Sequence, residues 1–246
     1  VVIVYPVPVR SETHIMRIFV GEYVCGGGLA DQAIDEIPDS LRREGAAMLQ
    51  SIVSDLAEVA ETVVPLDPRF AGTFSSNTTD TVSIVRDQSL WGQWTAAAQT
   101  CDAALLVAPE SDGILAKAVA MLRASGIDVI AGSGDFLRTA SDKYLTAKIL
   151  NTAGVAHPPY MTLADRRMEA TLREYGKFVV KPRDGCGTQE IRVYDCFDKA
   201  SADLTENAIL QAWMPGRAIS IALVASATQH TFLPAVSQNL SGCHCE

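Results

Sequence analysis

The stretch Phe178-Val179-Val180-Lys181-Pro182-Arg183-Asp184-Gly185-Cys186-Gly187-Thr188-Gln189 decides how this chain is read. Lys177 to Pro182 is a strand by its β-branched and aromatic run, and Lys181 emerges near its end behind three apolar residues. Ile191 to Tyr194 reads as the returning strand. Between them, Gly185, Gly187 and Thr188 leave backbone N–H groups that can form a concave anion nest, and the lysine adds a compact charge. That is the chemistry of a cover over nucleotide phosphates. The spacing equally suits a plain β-hairpin, and it is not a P-loop, because G-x-x-x-x-G-K-[ST] is absent.

Upstream, Asp142 to Ala153 reads as a helix capped by Ser141 and stopped by Gly154. Lys143 then sits in the first turn, where the helix dipole opposes a cation. Either an anion lies nearby or the lysine is simply solvated. Downstream, Ala208 to Met214 is a strand closed by Pro215-Gly216. Ala218 to Ala225 is expected to return as its neighbour, with Thr231 to Val236 following, which makes an antiparallel run.

The first half differs. Met16 to Val24, Glu61 to Leu66 (stopped near Pro65), Asp102 to Ala108 and Ile127 to Ala131 read as strands. Leu41 to Glu61, with Ser40 as cap, and Ile114 to Ala124, ended by Gly126, read as helices. Segment 68–90 is polar and weakly patterned, which predicts a loop. Alternating strands and helices predict an α/β fold: a Rossmann-like parallel sheet with helices on both faces, which binds ligands at the carboxyl ends of its strands. Glu22, Gly26, Gly27 and Gly28 lie at such an end. They are not a dinucleotide fingerprint, since Asp31 stands where the third glycine belongs. A structural turn and a substrate-touching loop both remain open. The break across residues 132–140 predicts an extension or edge strand over 1–15, a first domain over 16–139 and an α+β domain over 140–246.

Composition narrows the class. The chain has 246 residues, 48% hydrophobic, with a formal net charge of −9. This excludes disorder and disfavours a nucleic-acid coat, and no apolar run is long enough to span a membrane. Six cysteines in so apolar a chain predict reduced thiols and a cytoplasmic protein, with Cys243-His244-Cys245 as ordinary thiols rather than half a zinc site. Trp91, Trp94 and Trp213 are expected in cores or between lobes, and His157 in a loop.

The order DK-x(4)-K-x(4)-AGV-x-x-PP (142–159), FVVKP-x-DG-x-G (178–187) and ILQAWMPG (209–216) resembles the ATP-grasp superfamily of carboxylate–amine ligases. FVGEYVCGGG (19–28) and KPRDGCGTQEI (181–191) look most similar to its tyramine–L-glutamate ligase branch, which belongs to methanofuran-type cofactor synthesis. The resemblance implies a pre-ATP-grasp domain followed by an ATP-grasp domain that is incomplete at residue 246. It implies ATP and Mg2+ as cofactors, with a small-molecule carboxylate (glutamate) and an amine (tyramine) as substrates. By position, Lys143 and Lys181 match the lysines that hold the nucleotide phosphates. Gly185, Cys186, Gly187 and Thr188 match the small-residue loop over them. Gln211, Ala212, Trp213 and Met214 match the hinge at the adenine, with Ala212 where a ribose-binding Glu is usual. Glu22, Gly26, Gly27 and Gly28 stand where first-strand loops of this fold face the substrate, and Arg217 and Ser220, also expected on the substrate side, follow the Pro-Gly where the family often has an acidic residue and a Ser. The implied chemistry is attack of a carboxylate on the γ-phosphate, then displacement of phosphate by an amine. No Glu-x-Asn metal pair occurs, so the ligands are expected beyond Glu246 and this stretch alone is expected not to turn over ATP. A homodimer is the expected assembly, with no nucleic-acid or membrane partner. The rival readings are a non-catalytic nucleotide-binding module and a Rossmann-type NAD-dependent oxidoreductase.

Overall fold

The computed structural model describes residues 15–73, 79–185, 190–241 and 244–245. The expectations for Val1 to His14, for Cys186, Gly187 and Thr188, and for Cys243 lie outside the described residues. The chain divides into two compact units, residues 1–109 with 114–133, and residues 110–113 with 134–246.

In the first unit, β1 (Met16–Glu22), β2 (Ala60–Leu66), β3 (Thr79–Ser83) and β4 (Ala103–Val107) form a parallel sheet in the order β3-β2-β1-β4. Alternation along β1 sorts its two faces. Ile18 and Val20 pack with Leu49 and Val53 of α1 (Asp39–Leu56) and with Val64 and Leu66. Phe19 points the other way and meets Trp94 of α2 (Leu90–Ala98) edge-on at 5.7 Å. Helices on both faces follow from that alternation, with α3 (Ile114–Ala124) beside α2. Gly126 ends α3 with φ +81°, the left-handed conformation glycine adopts freely.

Several expected boundaries move. Helix α1 starts at Asp39, one residue before the expected cap Ser40, and ends at Leu56 rather than Glu61. Residues from Ala60 onward leave the helical period because they enter the ladder with β1, Met16 opposite Ala60. Strand β2 ends at Leu66, next to Pro65, as expected, and starts one residue early, at Ala60. Pro65 lies past the last β1–β2 pair, Phe19 with Val63, so its missing N–H breaks no bond to β1. Segment 68–90 is not simply a loop, because β3 adds an edge strand there. Its largely exposed, polar sequence carries no alternation to read, as suits an edge. Ile127 to Ala131 makes only one bridge, Ala104 with Val129. The carbonyls of Val129, Ala131 and Gly132 accept from the Arg123 guanidinium at 3.0, 2.7 and 2.9 Å.

In the second unit, α4 (Gly134–Ala140) and α5 (Lys143–Thr152) precede an antiparallel sheet of β5 (Tyr160–Met161), β6 (Phe178–Pro182), β7 (Arg192–Tyr194) and β8 (Ala208–Ala212), ordered β5-β8-β6-β7. One face of this sheet, with Met161, Phe178, Val180 and Leu210, packs on Leu172 of α6 (Glu169–Leu172) and on Phe197 and Ala200 of α7 (Phe197–Ala202). The expected pairing of Ala218 to Ala225 with β8 does not form, because β5 and β6 already occupy both edges of β8. That segment breaks into β9 (Ile219–Ser220) and β10 (Leu223–Ala225). These pair with β12 (Val236–Ser237) and β11 (His230–Phe232), and Pro234 divides the expected Thr231 to Val236 strand. A last pair, β13 (Leu240–Ser241) and β14 (His244–Cys245), follows.

Candidate functional site

The second unit gathers its charge where α5 begins and β6 ends. The cap of α5 is Asp142, not Ser141: its carboxylate accepts from the N–H groups of Tyr144 (2.8 Å) and Leu145 (3.1 Å). The Ser141 hydroxyl instead donates to Leu137 O at 2.7 Å, closing α4. Asp142 also pairs with the Arg183 guanidinium, whose central carbon lies 5.0 Å from the Tyr144 ring centre. Burial pushes the Asp142 carboxyl up, but Arg183 and the two N–H donors outweigh it and leave it below the usual carboxylate range.

Lys143 is bound into the same corner. Its N–H donates to Arg183 O at 2.8 Å, and its ammonium reaches Gly185 O at 2.8 Å and Asp184 O at 3.3 Å. Gly185 has φ +98°, a turn that L side chains rarely make. Lys181, opposite Ile209 in the sheet, is half-buried, and its ammonium has no hydrogen bond or ion pair among the described residues. Burial pulls its pKa down, and the nearby Lys143 charge adds to that. Beside them Asp142, Arg183, Asp184 and Asn207 line an open cavity of about 320 Å³. Two cations converge, one of them desolvated and unpaired, an arrangement that an incoming polyanion would stabilise.

The expected hinge residues sit at the end of β8. Gln211 is buried and its amide lies 3.4 Å from His157 Nε2. His157 Nδ1 lies 2.8 Å from Pro158 O, so Nδ1 carries the proton and Nε2 accepts from Gln211. His157 lies in a loop, as expected, part-buried beside the hinge glutamine. Ala212 is buried and its N–H donates to Pro159 O, while Trp213 N–H donates to Lys177 O. The Lys177 ammonium stands 5.2 Å from the Trp213 ring centre, and Met214 is exposed. Arg217 is exposed, and Ser220 lies in β9 opposite Val236.

In the first unit, Glu22 closes β1 and is only 2% exposed. Its two oxygens accept from Val24 N–H (3.1 Å) and Cys25 N–H (2.7 Å), which fixes the turn Val24–Gly28. Burial raises its pKa against the lowering effect of those N–H groups, and the Cys25 thiol is pushed up by burial and by Glu22. The glycines answer to packing. A Cβ on Gly26 would meet the Trp94 ring at 2.7 Å, one on Gly27 (φ +91°) Ile84 at 2.7 Å, and one on Gly28 would run into the Tyr23 ring. Trp94 Nε1 donates to Gly26 O at 2.9 Å. No dinucleotide is needed to explain this turn, and the oxidoreductase reading loses its motive.

Sequence reasoning missed Arg183 and His157. Arg183 acts through Asp142, 41 positions away, and only the fold brings them together. Its place directly after Lys181-Pro182 was the available signal. Among the described residues no group of three or more His, Cys, Asp or Glu side chains could hold a metal ion, and no helix is long and apolar enough to cross a membrane.

Known proteins match the chain in sequence and fold. Residues 60–135 match the model of the pre ATP-grasp 3 domain, and residues 140–244 that of an ATP-grasp domain. Tyramine–L-glutamate ligase of Methanocaldococcus fervens is 23% identical over 206 residues, covering 82% of this chain and 60% of that protein. The Methanocaldococcus jannaschii enzyme is 22% identical over 219 residues, covering 88% and 61%. The chain therefore spans about three fifths of those relatives. An ATP-grasp superfamily protein from Archaeoglobus fulgidus superposes with a TM-score of 0.67 at 20% identity, over 94% of this chain and 63% of that one. N5-carboxyaminoimidazole synthetase from Staphylococcus aureus, complexed with ADP, gives 0.57 at 15% identity over 94% and 56%. With the two domain models in this order and the same fold in these neighbours, the chain belongs to the ATP-grasp superfamily.

Proposed function

We propose that this chain carries the nucleotide site of an ATP-dependent ligase that joins a carboxylate to an amine. The observation that carries the reading is Lys181, a half-buried ammonium without a partner among the described residues, depressed further by Lys143. ATP phosphates would supply the missing negative charge. Lys143 would exchange the carbonyls of Asp184 and Gly185 for phosphate oxygens. Gln211 to Met214, at the end of β8, would meet the base. The expected loop Gly185 to Thr188 would cover the phosphates, and Glu22, Gly26, Gly27, Gly28, Arg217 and Ser220 would serve the substrate side, Glu22 by holding its turn.

The reaction would run in two balanced steps. A carboxylate oxygen bonds to the γ-phosphorus as the bond to ADP breaks, giving an acyl phosphate and ADP. An amine nitrogen then bonds to the acyl carbon, releasing phosphate and a proton. Such transfer asks for positioning and cationic charge rather than a protein nucleophile. Among the described residues no three or more acidic, His or Cys side chains gather as metal ligands, and no step here is assigned to magnesium. Glutamate and tyramine, the pair named in the relatives' description, are the substrates proposed for assay. A homodimer in the cytoplasm completes the reading.

Calorimetry with ADP and magnesium checks it. Binding is expected, weakened at least tenfold by Lys181→Ala. No binding, or unchanged affinity in that variant, would refute the nucleotide site.

A further inference from the structure

Strand β8 turns its side chains alternately to the two faces of its sheet, so Gln211 shares a face with Ile209. Lys181 stands opposite Ile209, and Val179 opposite Gln211. Lys181 and Gln211 therefore lie on one face, about 7 Å apart along the strand direction at about 3.4 Å per residue. The desolvated ammonium and the hinge amide belong to one surface.

Gln211 is only 5% exposed, and its side-chain partner is His157, in the loop before β5. The Tyr160 ring, in register with Gln211, meets the His157 ring edge-on at 5.7 Å and holds it beside β8. His157 Nδ1 lies 2.8 Å from Pro158 O, and a carbonyl only accepts, so the ring proton sits on Nδ1. Nε2 then offers a lone pair, and the Gln211 group facing it at 3.4 Å is the NH2 end of the amide. The other tautomer would set two donors against each other here and two acceptors against each other at Pro158. The Gln211 oxygen is thus turned away from His157. It bonds to no described residue, and among the described residues Arg42 Nε is the one fully buried side-chain atom without a partner, so this oxygen reaches open space.

We infer that His157 is a positioning residue for base selection: it holds the Gln211 amide with its oxygen outward, so that the hinge takes a base bearing an amino group and rejects one bearing a carbonyl in its place. The inference rests on the nucleotide reading above and adds how that site tells one base from another. Adenine presents an N6 amino donor, whereas hypoxanthine, like guanine, presents an O6 acceptor. Against the Gln211 oxygen an acceptor leaves both groups without a proton between them, the kind of mismatch that a hydrogen-bonding site discriminates against most strongly.

The test is calorimetry of the whole chain with ADP and with inosine diphosphate, each with magnesium, beside a 15N NMR spectrum of its histidines. Without nucleotide, the His157 signals, identified by their loss in His157→Gln, are expected to show a protonated Nδ1 and an unprotonated Nε2. The unaltered chain is expected to prefer ADP by about tenfold or more. His157→Phe keeps a ring against Tyr160 but has no acceptor, and should cut that preference at least about fivefold. His157→Gln can present an oxygen near the Nε2 position and should keep most of it. Lys181→Ala should weaken both diphosphates alike, since they share their phosphates, and leave the preference in place. Binding of neither diphosphate to the unaltered chain would bring down the nucleotide reading and this inference with it. ADP binding without a preference, a preference unmoved in His157→Phe or lost equally in His157→Gln, or a proton found on Nε2 overturns the inference alone.

Discussion

Glu22 shows how one buried carboxylate shapes a loop. Its charged form is disfavoured by burial and partly compensated by two backbone N–H groups. The folded state therefore binds its proton more readily than the unfolded chain does. The sign follows: its contribution is most favourable below the ordinary glutamate pKa and declines as pH rises toward the raised folded value. Denaturant melts across pH 4 to 7 should show this slope in the native chain and a flatter one in Glu22→Gln. Glu22→Ala strands both N–H groups and should cost about 1–3 kcal/mol at any pH. An unchanged slope in Glu22→Gln would mean that another group sets the pH dependence. At this scale the sequence was only half legible. It showed that Glu22 stood at a strand end, but not that both oxygens point into the chain's own turn.

At the scale of elements, what could be read was whatever repeats. The strand Phe178 to Pro182 and the helix from Lys143 stood out because their apolar periods are strong and their ends carry turn residues. Strand β3 was invisible because its exposed residues have no inner face to alternate with. Helix α2 was missed because nine residues burying Trp94, Ala97 and Ala98 make a short signal within a polar stretch. The failed partnership of Ala218 to Ala225 had another cause: strand order is a long-range property, and β5, of two residues, gives no sign that it will take that edge. The order makes a prediction. Leu210 and Gln211, bonded on both sides, should be the slowest amides to exchange in the second unit, with β10 and β11 among the fastest. In the first unit, a Cβ on Gly21 would fall 2.6 Å from the Trp94 ring. Gly21→Ala should therefore cost about 1–3 kcal/mol by overpacking, read from the urea midpoint.

For the whole molecule, the legible part was the class: a parallel sheet domain followed by an antiparallel one, both evident from the change in pattern between the halves. The corner of Asp142, Lys143, Lys181 and Arg183 was only partly legible. Its lysines stood in recognisable places, while the pairing that orients them depends on the fold. Nucleotide binding to that corner should register as stability of the chain as a whole. At a hundred times its dissociation constant, ADP should add about 2.7 kcal/mol, seen as a higher melting temperature. The shift should vanish in Lys181→Ala, and a shift that survives would place the nucleotide elsewhere.

Arg123 has a wider bearing. By holding the carbonyls of Val129, Ala131 and Gly132, one side chain stands in for the strand that Ile127 to Ala131 does not become. Unclaimed carbonyls along a sheet border invite the backbone of another molecule to add itself. A guanidinium already seated there gives an intruding strand fewer acceptors to join.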